Sequence, residues 1–164
     1  MAPSERPRPL ERAAIALGSN LGDRRATLDA AVVMLIASPG IQLLARSAWH
    51  ASAPVGPPQP DYLNGCAVLA TSLAPEALLE QLLAIEHHFG RVRSERWGPR
   101  TLDLDLIFYG QRRLQSPRLV IPHPHLRERP FVLEPLAEIA PGWLDPVSGR
   151  SVAQLAARQG TAAP

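Results

Sequence analysis

An α+β fold with one antiparallel sheet is predicted by three features of the sequence. Apolar segments of period two and of period 3.6 follow one another as β-α-β-β-α-β, Gly and Pro mark the joints between them, and no internal repeat points to a solenoid. Ala13 to Leu17 reads as a short apolar strand. The polar turn Gly18-Ser19-Asn20-Leu21-Gly22-Asp23 leads into a helix from about Arg24 to Ala37, which stops before Ser38-Pro39-Gly40. Ile41 to His50 reads as a second strand, and Pro54 to Asp61, with four prolines, as a loop. Leu63 to Thr71 is a third strand of small apolar residues. Pro75 suits the first turn of a second helix, on which Leu78, Leu79, Leu82, Ile85 and Phe89 recur at helical spacing until Gly90. After an arginine-rich loop, Leu102, Leu104, Leu106 and Phe108 alternate with Asp103, Asp105, Ile107 and Tyr109, the period of a strand.

This order is that of a ferredoxin-like core, a split β-α-β unit with both helices on one sheet face and the other face free. Arg112 to Arg158 adds a Pro-rich connection, a helix near Phe131 to Ile139 and a weak helix from Val152 to Arg158, together a C-terminal helical extension. Residues 12–159 are expected to form one domain, with 1–11 and 160–164 as mobile tails. A chain of 164 residues suffices, since it buries roughly 70% of its unfolded surface. The longest apolar run, Ala30 to Ala37, falls far short of the ~18 residues that span a bilayer. Met1 to Glu11 has no apolar signal core, and Cys66 alone can form no internal disulfide, so a cytoplasmic protein is expected.

All 17 Lys+Arg positions are arginine. Without lysine there is no Walker A loop, no kinase strand lysine and no Schiff-base chemistry. A GC-rich genome accounts for the overall bias, but the clustering is local. Arg91, Arg93, Arg96 and Arg100 crowd one loop that also holds Gly98 and Pro99. Guanidinium groups hold phosphate oxygens bidentately and keep their charge. Asp103 and Asp105 follow at once on one strand face, about 7 Å apart at two residues' spacing, where hard carboxylate oxygens suit Mg²⁺. A solvated basic loop and an ordinary acidic strand face are the plain alternatives. His123-Pro124-His125 would make a zinc pair only with a further ligand cluster, which does not follow in the sequence.

Five motifs carry a family resemblance: Ala-Leu-Gly-Ser-Asn-Leu-Gly (16–22), Pro-Asp-Tyr-Leu-Asn (60–64), Gly-Arg-Val-Arg (90–93), Arg-Trp-Gly-Pro-Arg-Thr-Leu-Asp-Leu-Asp-Leu-Ile (96–107) and Ile-Pro-His-Pro-His (121–125). From about Ala13 to Arg158 the chain resembles the 6-hydroxymethyl-7,8-dihydropterin pyrophosphokinase family of the folate pathway. The resemblance implies transfer of the terminal diphosphate of ATP to the pterin hydroxymethyl group, with release of AMP. It implies that Asp103 and Asp105 ligand two Mg²⁺ and that Arg93, Arg96 and Arg100 close over the phosphates beneath Trp97. Arg118 and His123 would contact the phosphates from the far side, with Glu86 near the nucleotide. The pterin would stack between Tyr62 and Phe131, its polar edge read by Asn64 and by backbone near Gly18 and Val55. The chain departs from the family pattern in a loop one residue shorter after Arg93, in Pro124 and in Leu83.

Either Asp103 or a metal-bound water would accept the hydroxyl proton. The partners implied are small molecules, with no nucleic acid and no membrane, and a monomer is expected. The competing class is a ferredoxin-like RNA-binding module with the basic loop on phosphate. Against it, the central strands lack stacking aromatics, and the two acids would repel a phosphate backbone.

Overall fold

The computed structural model describes residues 9–53, 58–90 and 101–161. Five strands, β1 (Glu11–Ser19), β2 (Ile41–Arg46), β3 (His50–Ser52), β4 (Tyr62–Thr71) and β5 (Asp103–Tyr109), form one sheet. The short strands β6 (Leu114–Gln115) and β7 (Val120–Ile121) pair separately. The helices are α1 (Arg24–Ala37), α2 (Pro75–His88), α3 (Pro130–Ile139) and α4 (Val152–Thr161), with a single 3-10 turn at Leu126–Glu128. The sheet order is β2-β4-β1-β5, and each adjacent pair is antiparallel. Beyond the end of β2, β3 takes over the same edge of β4.

The central strand β1 is buried on both faces, which is why it reads as a continuous apolar run rather than an alternating one. Ala13, Ile15 and Leu17 pack with Leu28 and Leu35 of α1 and Leu78, Leu82 and Ile85 of α2. Ala14 and Ala16 pack with Cys66 and Val68 of β4 and, above them, with Val132, Leu133 and Leu136 of α3 and Val152 and Leu155 of α4. The face expected to be free is therefore covered by α3 and α4. Small residues on that face let α3 lie close, and its own apolar stripe requires burial. Cys66 is wholly buried there, and burial pushes its thiol pKa up.

Two local irregularities correct the sequence reading. The strand expected over Ile41 to His50 breaks at Ser47, whose N–H donates to Cys66 O (2.9 Å) and whose Oγ accepts from Cys66 N–H (2.8 Å). Trp49 then folds over Gly65, where any added Cβ would overlap its ring. In β5 the alternation holds only to Leu106. Ala14 pairs with Phe108 while Ile15 pairs with Leu106, so Ile107 is an extra residue, a β-bulge. Phe108 consequently joins Ile107 on the α3 side and stacks on Trp143, while Tyr109 turns to the α1–α2 side. At the C-terminus, α4 runs past Arg158 to Thr161.

The segment between β7 and α3 is fastened by Asp145, which is 0% exposed. Its carboxylate accepts from Arg127 Nε (2.7 Å) and Nη2 (2.9 Å), from Ser148 Oγ (2.7 Å) and from Val147 N–H (3.0 Å). Burial alone would raise its pKa, but the Arg127, Ser148 and Val147 hydrogen bonds reverse this and hold it below the usual carboxylate range. Asp145→Ala leaves Arg127 without its partner and is expected to cost about 3 kcal/mol of stability. The depressed pKa means the stabilisation is present at neutral pH and fades as pH falls through the folded-state value. The Tm gap between wild type and Asp145→Ala should therefore narrow on acidification.

Candidate active site

Register places the predicted residues in rows across the sheet. Asp103 of β5 lies opposite Gly18 of β1, which lies opposite Asn64 of β4. Two pairs further along, Asp105 lies opposite Ala16, and Ala16 opposite Cys66. Asp103, Asp105, Gly18, Asn64 and Tyr62 thus belong to one sheet face by strand alternation, the face on which α3 packs. Both aspartates are partly exposed, whereas Leu104 between them is buried with α1 and α2.

Gly18 meets a requirement of this row. A Cβ there would stand 2.8 Å from Asn64 Oδ1 and 3.5 Å from Tyr62 Cδ1, so only glycine lets the amide and the phenol ring settle against β1. The Asn64 side chain is oriented by Nδ2 donating to Ser52 Oγ at 2.5 Å. The chain entering Tyr62 is held from the Gly18–Gly22 turn. Asn20 Nδ2 donates to Gln59 Oε1 (2.7 Å) and Pro60 O (3.1 Å), and Arg24 Nη1 donates to Asp61 O (2.7 Å). The sequence predicts a turn directly after Leu17. Instead β1 continues to Ser19, and Asn20 acts as a strut.

The start of α3 brings Phe131 to the margin of the same face, packed against the α3-side core. Arg129, immediately before α3, sets its guanidinium 5.6 Å from the Phe131 ring centroid and Nη1 3.9 Å from Asp105 Oδ2. Sequence reading missed Arg129, and also Ser52. The signal for Arg129 was its place two residues ahead of Phe131 with Pro130 starting a helix; Ser52 gave none. His123 is fixed by its N–H donating to Ile107 O at 3.0 Å, and its Nδ1 accepts from His125 N–H at 3.2 Å. The neutral ring therefore carries its proton on Nε2. Burial lowers the His123 pKa, Asp105 pulls it up less strongly, and Arg129 and His125 add to the lowering, so the ring is neutral at pH 7.

Other predicted residues lie elsewhere. Glu86 is buried on the α1–α2 side, where Oε2 accepts from Leu104 N–H at 2.7 Å, bracing β5 from behind the two aspartates. Arg118 is exposed and ion-paired with Glu80 of α2. Val55, Arg93, Arg96, Trp97 and Arg100 lie outside the described residues. Among the described residues no group of three or more His, Cys, Asp or Glu is placed to hold a metal. Two carboxylates on one face fit a hard cation that takes its remaining ligands from phosphate and water.

Comparison with known proteins defines the class. Over 155 residues the chain is 53% identical to a 2-amino-4-hydroxy-6-hydroxymethyldihydropteridine pyrophosphokinase of Synechocystis, covering 94% of this chain and 80% of that one. The enzyme of the same name from Pseudomonas aeruginosa is 47% identical over 149 residues, covering 90% and 91%. A Plasmodium falciparum HPPK-DHPS structure with pterin and p-hydroxybenzoate matches with a TM-score of 0.75 at 12% identity, over 96% of this chain and 44% of that longer one, a likeness of fold. The chain is thus an ATP-dependent diphosphotransferase. More particularly, it belongs to the 7,8-dihydro-6-hydroxymethylpterin-pyrophosphokinase (HPPK) family, whose model matches residues 14–141. It transfers the terminal diphosphate of ATP to the hydroxymethyl group of the dihydropterin in folate biosynthesis.

Gly18→Ala tests the row directly. The added methyl group displaces Asn64 or Tyr62, and a change of one methyl in a shaped pocket is worth roughly 10–200-fold. The KM for the pterin should rise within that range while the KM for ATP stays unchanged, as read from steady-state kinetics with each substrate varied.

Proposed function

We propose that the two substrates meet over the Asp103–Gly18–Asn64 row, with the pterin ring between Tyr62 and Phe131. The observation that carries this reading is that one sheet face gathers a carboxylate pair, a glycine, a buried amide and a phenol, with a second aromatic ring at its margin. A flat heterocycle suits an aromatic pair, and a buried amide specifies its polar edge. Backbone near Gly18 and Val55 would complete that edge. The reading includes a ferredoxin-like core with α3 and α4 as a C-terminal extension, supported by the β2-β4-β1-β5 order with α1 and α2 on one face.

Asp103 and Asp105 would hold two Mg²⁺, which when bound neutralise the charge of the polyphosphate. The rest of the chemistry falls to this chain's own residues. Arg129 and His123, beside Asp105, offer a permanent cation and a neutral Nε2–H donor to phosphate oxygens. Arg93, Arg96 and Arg100 would add charge from the other side, with Trp97 excluding water. Arg118 would reach the nucleotide by exchanging its Glu80 partner for phosphate, and Glu86 would keep β5 in place beside it. The pterin hydroxyl oxygen would then bond to the β-phosphorus, its proton passing to Asp103 or to water, while the bond from the β-phosphorus to the oxygen bridging it to the α-phosphorus breaks and AMP leaves with that oxygen. Positioning and charge neutralisation suffice for such a transfer without a covalent enzyme intermediate. We further propose a cytoplasmic monomer acting on small molecules. Among the described residues no helix is long and apolar enough to cross a membrane. The acidic pair disfavours an RNA backbone on this face, and absence of a gel shift with single-stranded RNA at low salt would check that.

Asp103→Ala and Asp105→Ala should each abolish transfer at saturating Mg²⁺ while changing stability by no more than about 0.5 kcal/mol, because both side chains are partly exposed. Turnover at the wild-type rate in either variant would sink the metal assignment. Chromatography of the nucleotides tests where attack occurs. AMP should appear only with both Mg²⁺ and 6-hydroxymethyl-7,8-dihydropterin present, and ADP as product would place attack at the γ-phosphorus.

A further inference from the structure

Glu138, near the end of α3, is bound to a part of the chain far away in sequence. Its Oε2 accepts from Ala48 N–H at 2.9 Å, and its Oε1 pairs with His50 Nε2. The Ala48 hydrogen bond holds the Glu138 pKa below the usual carboxylate range against a small opposing effect of burial, and His50 adds to the lowering. The pair is half-exposed, 38% for His50 and 37% for Glu138, where an ion pair adds little to global stability. What it joins is more informative. Ala48 lies in the break between β2 and β3, and His50 begins β3. His50 pairs with Asn64 and Ser52 with Tyr62, while Ser52 Oγ holds the Asn64 amide. At the other end of α3, two helical turns before Glu138, stands Phe131.

The C-terminal end of α3 is therefore tied to β3, which pairs with the Tyr62–Asn64 wall of β4, while the N-terminal end of α3 carries Phe131, the other side of the aromatic slot. We infer that Glu138 is a positioning residue for the pterin, setting the separation between Phe131 and the Tyr62–Asn64 wall by fastening α3 to the β2–β3 junction. This rests on the slot assigned above and concerns its width, not its contents. Glu138 bonds to Ala48 and His50, on the β3 side of the sheet and not on β5, so loosening the tie should affect the pterin and spare ATP.

The test is steady-state kinetics with each substrate varied. Glu138→Ala should raise the KM for the pterin about tenfold, with kcat and the KM for ATP within about twofold of wild type, in keeping with the cost of a small misplacement in a shaped site. Glu138→Gln should restore the pterin KM, because its amide oxygen still accepts from Ala48 N–H and its NH₂ can donate to His50. If Glu138→Ala fails to fold, His50→Ala removes one of the two bonds and should give a smaller rise confined to the pterin. An unchanged pterin KM in Glu138→Ala, an equal rise in both KM values, or failure of Glu138→Gln to restore would each overturn the inference. Tyr62→Ala and Phe131→Ala separate this from the underlying reading. If they leave the pterin KM unchanged, the slot is misassigned; if they raise it while Glu138→Ala does not, only the tie is wrong.

Discussion

The rest of the structure depends on close approach of backbone to backbone through the middle of the sheet. On the α3 side β1 presents Ala14, Ala16 and Gly18 and β4 presents Cys66 and Val68 beneath the helix, so a helix can pack on each face without overfilling the interior. That closeness sets where the site can be. On this face of β1 the small residues are Ala14, Ala16 and Gly18, and α3 covers the first two. At Gly18 the row is instead filled by the Asn64 amide and the Tyr62 ring. The candidate site is therefore the end of the face where helix cover gives way to polar side chains. The same absence of Cβ that permits packing elsewhere here permits an amide to stand over the strand.

Much of this was legible in the sequence because it rests on periodicity and local chemistry. The first helix ends where Ser38-Pro39-Gly40 puts it, with Gly40 at φ 81°, and the second begins at Pro75. The acidic pair stood out because Asp is rare in strands and alternates with leucine there. Three things were hidden, each for a reason of long range. The cover on the second face depends on α3 returning to the sheet, a contact that no local pattern announces. The bulge at Ile107 is set by its pairing with β1, so Phe108 and Tyr109 exchange sides although the alternation of the sequence is intact. The break at Ser47 depends on Cys66 and on the Trp49 ring seated on Gly65, partners distant in sequence.

Site residues divide along the same line. Register on three neighbouring strands brings Asp103, Asp105, Gly18, Tyr62 and Asn64 onto one face; in the sequence only the acidic pair shows by alternation, and the other three enter through the motifs of the family resemblance. Arg129 and Ser52 enter by neither route, since their relevance comes from a 3.9 Å approach to Asp105 and a 2.5 Å bond to Asn64. Glu86, expected near the nucleotide from the resemblance alone, has a structural bond the sequence does not announce: one of its oxygens accepts a backbone N–H of β5.

Other acidic side chains are held in the same way. Glu86, Glu138, Asp145 and Asp23 each accept a backbone N–H at 2.7–3.0 Å and so hold the backbone frame in place. Glu86 fixes the β5 edge behind the aspartates, Glu138 joins α3 to β3, Asp145 anchors the turn before α3, and Asp23 caps α1 after the Gly18–Gly22 turn. Asp105 differs, facing a guanidinium across 3.9 Å, beyond hydrogen-bond reach. A carboxylate already held by a backbone donor gives up that bond when it takes a cation, whereas one in a loose ion pair gives up little. With no lysine in the chain, every permanent side-chain cation near the site is a guanidinium, which keeps its charge at any working pH. In the proposed reading, then, Asp105 can take a cation at little cost, while Glu86, Glu138 and Asp145 stay with the frame.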